Sequence, residues 1–67
     1  VTFPIDINRA DAGQLTALPG IGEVLAQRII AYREENGSFL STDELKNVEG
    51  IGEKRLEAIV DLITVGG

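Results

Sequence analysis

Apolar side chains fall into two recurring stripes along the chain. Leu25, Ala26, Ile29 and Ile30 lie at helical spacing, as do Leu56, Ile59, Val60 and Ile63, which predicts one core-facing helix in each half. Ahead of each stripe comes a glycine-framed bend, Leu18-Pro19-Gly20-Ile21-Gly22 and Val48-Glu49-Gly50-Ile51-Gly52. No helix runs through either bend, because Pro19 disfavours helix in the residue before it and glycine is a poor helix interior. A start signal precedes each bend: Asp11 with Gln14 and Ser41 with Glu44 have the spacing of capping boxes. Ala10 with Leu15 and Leu40 with Leu45 are spaced as hydrophobic staples. Two short helices therefore end by Leu18 and Val48, and a longer helix follows each bend. The first long helix is expected to end near Asn36, with Gly37 supplying a left-handed residue after its last turn.

These signals repeat at a fixed offset. A shift of thirty residues superimposes Leu15 on Leu45, Gly20 on Gly50, Ile21 on Ile51, Gly22 on Gly52, Glu23 on Glu53 and Ile29 on Ile59, which marks an internal duplication. Sixty-seven residues make one domain and not two, since a chain this short needs nearly all its apolar residues for a single core. The expected fold class is all-α: one helical bundle of two units, each a pair of helices joined by a glycine-framed hairpin, related by a pseudo-two-fold. Residues 1–10 form an extended N-terminal segment and residues 11–65 the tandem domain, with unit one at 11–37 and unit two at 41–63. Ile5 and Ile7 alternate with Asp6 and Asn8, and Ile63 with Val65, so both ends are expected to lie extended along the core. Tyr32 and Phe39 read as packing residues near the link between the units.

Composition narrows the chemistry. Hydrophobic residues at 43% and charged residues at 25% are ordinary for a globular domain, and there is no apolar run long enough for a membrane span. Cysteine and histidine are both absent, which removes thiol nucleophiles, imidazole bases and the usual zinc ligands. Glu34, Glu35, Asp43 and Glu44 are explained by capping and solvation, and no nucleophile accompanies them. No catalytic residue, metal site or cofactor is expected. The chain opens at Val1 on an apolar stretch, as a piece of a longer protein would.

The bends have a chemistry of their own. In each, the first glycine permits positive φ and the second opens a helix. Burial of Ile21 or Ile51 between them would fix the loop, contributing roughly 1.5 to 3 kcal/mol. The flanking peptide N–H groups would then face outward at a helix start, where they lack intrahelical partners and, with the helix dipole, suit an anion.

Leu-x-x-Leu-Pro-Gly-Ile-Gly followed by Ala-x-x-Ile-Ile resembles the helix-hairpin-helix motif of DNA-binding proteins that do not read sequence. The run from Ile7 to Val65 resembles the C-terminal domain of ComEA-type competence DNA receptors. The segments that carry the likeness are Asp6-Ile7-Asn8-Arg9-Ala10, Tyr32-Arg33-Glu34-Glu35-Asn36-Gly37-Ser38-Phe39 and Ile63-Thr64-Val65. The resemblance implies a SAM-like bundle of two helix-hairpin-helix units whose hairpins contact phosphates on either side of the minor groove of double-stranded DNA. The DNA-binding residues would be Gly20, Ile21, Gly22 and Val24 in the first unit and Gly50, Ile51, Gly52, Lys54 and Arg55 in the second. It further implies a role in DNA uptake, an extracytoplasmic protein anchored by a segment outside this chain, and contacts with other uptake-machinery proteins. Two other readings fit the same residues: a structural or protein-interaction module, and the DNA-positioning domain of a nuclease or repair enzyme.

Net charge is the main objection to a DNA partner. At −5, the chain has no broad basic surface, and each half is acidic. At physiological salt the Debye length is about 8 Å, so distant carboxylates are largely screened from a hairpin-bound phosphate. With few phosphates engaged, the log-log salt slope should be about −2 to −4, and a single domain should bind no tighter than the micromolar range. Lys54 and Arg55 follow the second hairpin, whereas Glu23, Val24 and Leu25 stand at the equivalent place in the first. The second unit is therefore expected to dominate, and reversing both charges of Lys54 and Arg55 should weaken duplex binding. Unchanged affinity in a binding assay would refute that asymmetry.

Overall fold

The first capping box forms as its spacing predicts. Asp11 Oδ1 accepts from Gln14 N–H at 2.8 Å, and Gln14 Oε1 accepts from Asp11 N–H at 3.1 Å. The computed structural model describes residues 3–66; Val1 and Thr2, the first positions of the expected N-terminal segment, lie outside them. In chain order the elements are β1 (Ile5–Asp6), α1 (Ala12–Leu15), α2 (Glu23–Asn36), a 3-10 helix (Thr42–Asn47), α3 (Glu53–Ile59), a 3-10 turn (Val60–Leu62) and β2 (Ile63–Thr64). The domain is all-α apart from one two-residue ladder.

That ladder joins the two ends. β1 and β2 pair in parallel, Ile5 opposite Ile63 and Asp6 opposite Thr64, and Ile7 N–H donates to Thr64 C=O at 2.9 Å. Ile5, Ile7 and Ile63 all face the core, which accounts for the period-two alternation in the sequence. The rest of the core comes from Leu15, Leu18, Ile21, Ala26, Ile29, Phe39, Leu45, Val48, Ile51, Leu56 and Ile59, with Ala10 beside them.

Asn8 ties three segments together. Its Nδ2 donates to Phe39 C=O and to Val65 C=O, both at 3.0 Å, and its Oδ1 accepts from Phe39 N–H at 2.7 Å. Arg33 adds a bond from α2, donating to Ile7 C=O at 2.8 Å. The link between the units is thus clamped to both chain ends, and the Phe39 ring stacks on Tyr32 with centroids 5.2 Å apart, the packing role expected of both.

This clamp overturns two local expectations. Leu40 does not staple to Leu45: it is 84% exposed, and Phe39, one residue earlier, is buried in its place. The Ser41 capping box does not close either. Ser41 makes no side-chain cap, and the Glu44 carboxylate accepts from Leu40 N–H at 3.2 Å instead. The physical reason is that Phe39, pinned through both main-chain groups by Asn8, fixes the register of the link. The following turn then winds as a 3-10 helix, with i to i+3 bonds such as Glu44 N–H to Ser41 C=O.

Two smaller differences have similar causes. Val60 is exposed and not core, because α3 tightens to a 3-10 turn at that residue and the apolar stripe shifts to Leu62. Gly37 has the expected positive φ of 85°, but its ψ of −179° is extended, not left-handed helical. No backbone wrap closes the end of α2, and Asn36 Nδ2 instead donates to Tyr32 C=O at 3.1 Å.

Replacing Asn8 with Ala leaves two carbonyls and one N–H without their partner, so it should cost about 1 to 3 kcal/mol in urea unfolding. Leu40→Ala should stay within about 0.5 kcal/mol. Equal effects from the two variants would mean that the clamp does not hold the fold.

Candidate nucleic-acid interface

Each bend closes through the same bond. Ile21 N–H donates to Leu18 C=O at 3.1 Å, and Ile51 N–H donates to Val48 C=O at 3.0 Å. Gly20 and Gly50, third in their turns, have φ of 78° and 97°. That is the pattern of a type II turn, and Pro19 in the first copy holds the position where proline is favoured. Both isoleucines are 3% exposed, so their side chains anchor the bends and present nothing to solvent.

The helices restart at Gly22 and Gly52. The first bonds from each turn are Ala26 N–H to Gly22 C=O at 2.9 Å and Leu56 N–H to Gly52 C=O at 3.0 Å. The N–H groups of residues 23–25 and 53–55 precede those bonds and accordingly have no intrahelical acceptor. Among the described residues, Gly22 and Gly52 make no side-chain cap to them.

The two glycines of each bend answer to different demands. Gly22 and Gly52 have φ of −88° and −101°, which any residue adopts, and a Cβ built on either meets nothing within 4 Å. Among the described residues nothing requires glycine there. At Gly50 a Cβ would lie 2.6 Å from Leu25 Cδ2 and 2.9 Å from Arg28 Nη1, and at Gly20 it would lie 3.1 Å from Arg55 Nη1. The first glycine of each bend is thus packed under a side chain from the long helix of the other unit.

Those contacts interlock the units. Arg55 Nη1 donates to Gly20 C=O at 2.6 Å, and Arg28 Nη1 donates to Glu49 C=O at 3.2 Å. Each bend is braced by an arginine from the opposite half, and the two helix starts lie next to the two bends. Pro19, Gly20, Lys54, Arg55 and Ala58 wall a shallow cleft between the first bend and α3.

Comparison with known proteins agrees with this geometry. A family profile described as "Helix-hairpin-helix motif" matches residues 3–64. The chain belongs to the helix-hairpin-helix family. ComE operon protein 1 of Bacillus subtilis is 46% identical over 61 residues, 91% of this chain and 30% of that protein. Transcriptional accessory protein Tex of Neisseria gonorrhoeae is 40% identical over 63 residues, 94% of this chain and 8% of that protein. Endonuclease/exonuclease/phosphatase family domain-containing protein 1 of Danio rerio is 40% identical over 55 residues, 82% of this chain and 10% of that protein. The chain therefore spans under a third of the length of these relatives.

Within the helix-hairpin-helix frame, Gly20, Gly22, Gly50, Gly52, Lys54 and Arg55 are all exposed on or beside the bends, and Val24 is 65% exposed at the place equivalent to Lys54. Ile21 and Ile51 stand apart, buried and with their N–H groups engaged in the turns. Sequence reasoning missed Arg28, whose reach across to the second hairpin has no local signal. The sequence sets Arg55 beside the second hairpin, yet its guanidinium rests on the first. Glu23 and Glu53, in the first turns of α2 and α3, favour the helix dipole and oppose an incoming anion.

Gly50→Ala should cost about 1 to 3 kcal/mol of stability, from positive φ together with the Leu25 contact. Gly52→Ser, at an open position that takes a helix cap, should be neutral or slightly stabilising. Thermal unfolding of the two variants checks the difference, and a neutral Gly50→Ala would contradict the packing described.

Proposed function

We propose that this domain binds double-stranded DNA without reading its sequence, through the unpaired backbone donors at its two Gly-Ile-Gly hairpins, and performs no chemistry itself. The observation that carries this reading is the empty space over Gly22 and Gly52, where a Cβ would meet nothing. Two exposed glycines with unstrained backbones are unexplained by the domain's own packing. Close approach of an outside group to the adjacent N–H groups explains both. The group suited to uncapped amides at a helix start is an oxyanion, and two hairpins braced side by side suit the regularly spaced phosphates of a nucleic-acid strand.

Backbone docking also fits the absence of a basic surface. Main-chain N–H groups are fixed donors that lose no side-chain entropy on binding, so modest affinity needs few cations. They contact no base edge, hence the indifference to sequence. The site residues proposed are the amides around Gly20, Gly22 and Val24 and around Gly50, Gly52 and Lys54, with Lys54 and Arg55 adding charge and Ile21 and Ile51 anchoring.

The likeness to ComE operon protein 1 supports a place in competence-type DNA uptake. In that setting the whole protein would be extracytoplasmic and membrane-anchored, and other uptake-machinery proteins would be its partners. The likeness to a relative named for an endonuclease/exonuclease/phosphatase family domain favours a second reading, in which the domain positions DNA for a separate enzyme. Both readings assign the hairpins the same task and differ in what the rest of the chain does.

A chemical-shift titration with two duplexes of unrelated sequence should move residues 20–24 and 50–55 alike and give similar affinities. Serine at both Gly22 and Gly52 supplies an oxygen that accepts from the free N–H groups and fills the space above them. Stability should hold or rise by a few tenths of a kcal/mol. Duplex affinity should fall about tenfold, the equivalent of one charge-assisted hydrogen bond. Undiminished affinity in the folded double variant would falsify docking at these amides.

A further inference from the structure

Arg55 connects halves of the molecule that sequence keeps apart. It lies five residues beyond Gly50, yet its Nη1 donates to the carbonyl of Gly20 at 2.6 Å. Lys54 stands beside it on the wall of the same cleft, with Pro19 and Gly20 opposite. The first hairpin's own helix start, Glu23-Val24-Leu25, carries no cation.

We propose that the second unit supplies the cation of the first hairpin. Arg55, fixed on the Gly20 carbonyl, is a positioning residue that holds that hairpin against α3 and presents positive charge, with Lys54, to a phosphate docked there. This inference rests on the DNA-binding reading above and adds that the two hairpins are one composite site.

Three observations support it. A guanidinium has five N–H donors, so a bond from one of them to Gly20 leaves donors free for a phosphate. Among the described residues the single ion pair is Arg9 with Asp6, so neither Lys54 nor Arg55 is held by a carboxylate at salt-bridge distance. The third observation is the departure from symmetry. Leu25 occupies the place thirty residues before Arg55 and covers Gly50 as Arg55 covers Gly20. In that direction the bond to a hairpin carbonyl comes from Arg28, three residues further along α2 and received by Glu49. The second hairpin therefore has a leucine as well as the Arg28 guanidinium over its first glycine, whereas the first hairpin has the Arg55 guanidinium alone, beside Lys54. Local sequence gives the first hairpin no cation of its own, and the fold brings one to it from the other unit.

The test compares wild type, Arg55→Gln, Arg55→Lys and, as a cation on the 3-10 helix, Lys46→Gln. Free-protein amide spectra come first. Arg55→Gln should shift residues 19–24 as strongly as its own neighbours, and Lys46→Gln should leave residues 19–24 in place. Duplex titrations follow. Arg55→Gln should lose about tenfold in affinity, reduce the magnitude of the log-log salt slope by about one, and weaken the duplex-induced shifts at residues 20–24. Arg55→Lys keeps the charge and should restore the salt slope while the free-protein shifts at residues 19–24 persist, a split that a purely structural role would not give. If Arg55→Gln does not fold, Arg55→Lys still reads the brace in its free spectrum.

Shifts confined to residues 52–58 in both Arg55 variants, or an unchanged salt slope in Arg55→Gln, would overturn the inference while wild-type binding left the DNA reading intact. A wild-type domain with no duplex-induced shifts would remove the DNA reading and the phosphate role together. The free spectra would then report only the brace.

Discussion

An isoleucine buried between two exposed glycines is the constraint from which the rest of this domain follows. Ile21 and Ile51 are each sealed in the core while the residues on both sides remain in solvent. Withdrawing either one would cost roughly 1.5 to 3 kcal/mol. To bury that side chain the backbone must turn sharply just before it, which the Leu18 and Val48 carbonyls close with a bond and only positive φ at Gly20 and Gly50 permits. The chain must then leave at once as a helix, so uncapped N–H groups are exposed at a fixed place. Their exposure is a consequence of core packing and not a separate feature, and they are already ordered before any ligand arrives.

One such unit could not stand alone. Neither a four-residue α1 with α2 nor a 3-10 helix with a seven-residue α3 buries enough by itself, and the domain completes its core by sharing it between the units and laying β1 and β2 across it. The parallel pairing of β1 with β2 and the Asn8 clamp close that arrangement. Polar bonds of this kind add modest stability, but they fix register. Asn8 decides that Phe39 and not Leu40 enters the core, and so fixes where the second unit begins. The reciprocal arginines then set one hairpin against the other. Hairpin geometry is thereby tied to contacts over the whole chain, although each hairpin is only five residues long.

Much of this was legible in the sequence, and what was legible was local or periodic. The thirty-residue repeat, the two bends, the positive φ at Gly20 and Gly50, the Asp11 capping box and the end of α2 all rest on signals within a few residues of one another. The misreadings have the opposite character. Ser41 and Glu44 carry a sound box spacing, but Asn8, more than thirty positions away, overrides it. Val60 fits a 3.6-residue period that the last turn of α3 abandons. Nothing near Ile5 announces Ile63 as its partner, since strand pairing between distant segments leaves no mark in either one. The candidate site divides in the same way. Its glycines and isoleucines could be picked out from their spacing, whereas the destinations of Arg28 and Arg55 depend on how the two units cross.

The crossing also bears on charge. A net charge of −5 counts every side chain equally, but a bound anion would not. Glu34 lies near the far end of α2, roughly 17 Å along the helix axis from the first hairpin and about twice the Debye length at physiological salt, whereas Glu35 shares a cleft with Val48 and Glu49 of the second hairpin. Of the six basic residues, Arg28, Lys54 and Arg55 are beside the hairpins, and Arg28 and Arg55 are held there by main-chain carbonyls. Opposing them at close range are Glu23, Glu35, Glu49 and Glu53, so three cations face four carboxylates and the local balance is much nearer neutral than the whole chain's −5. A near-neutral site with fixed amide donors suits an oxyanion whose charge is repeated along a polymer. Each contact can be weak when many equivalent ones are within reach, and a domain that spans only part of its relatives need not supply all the affinity alone.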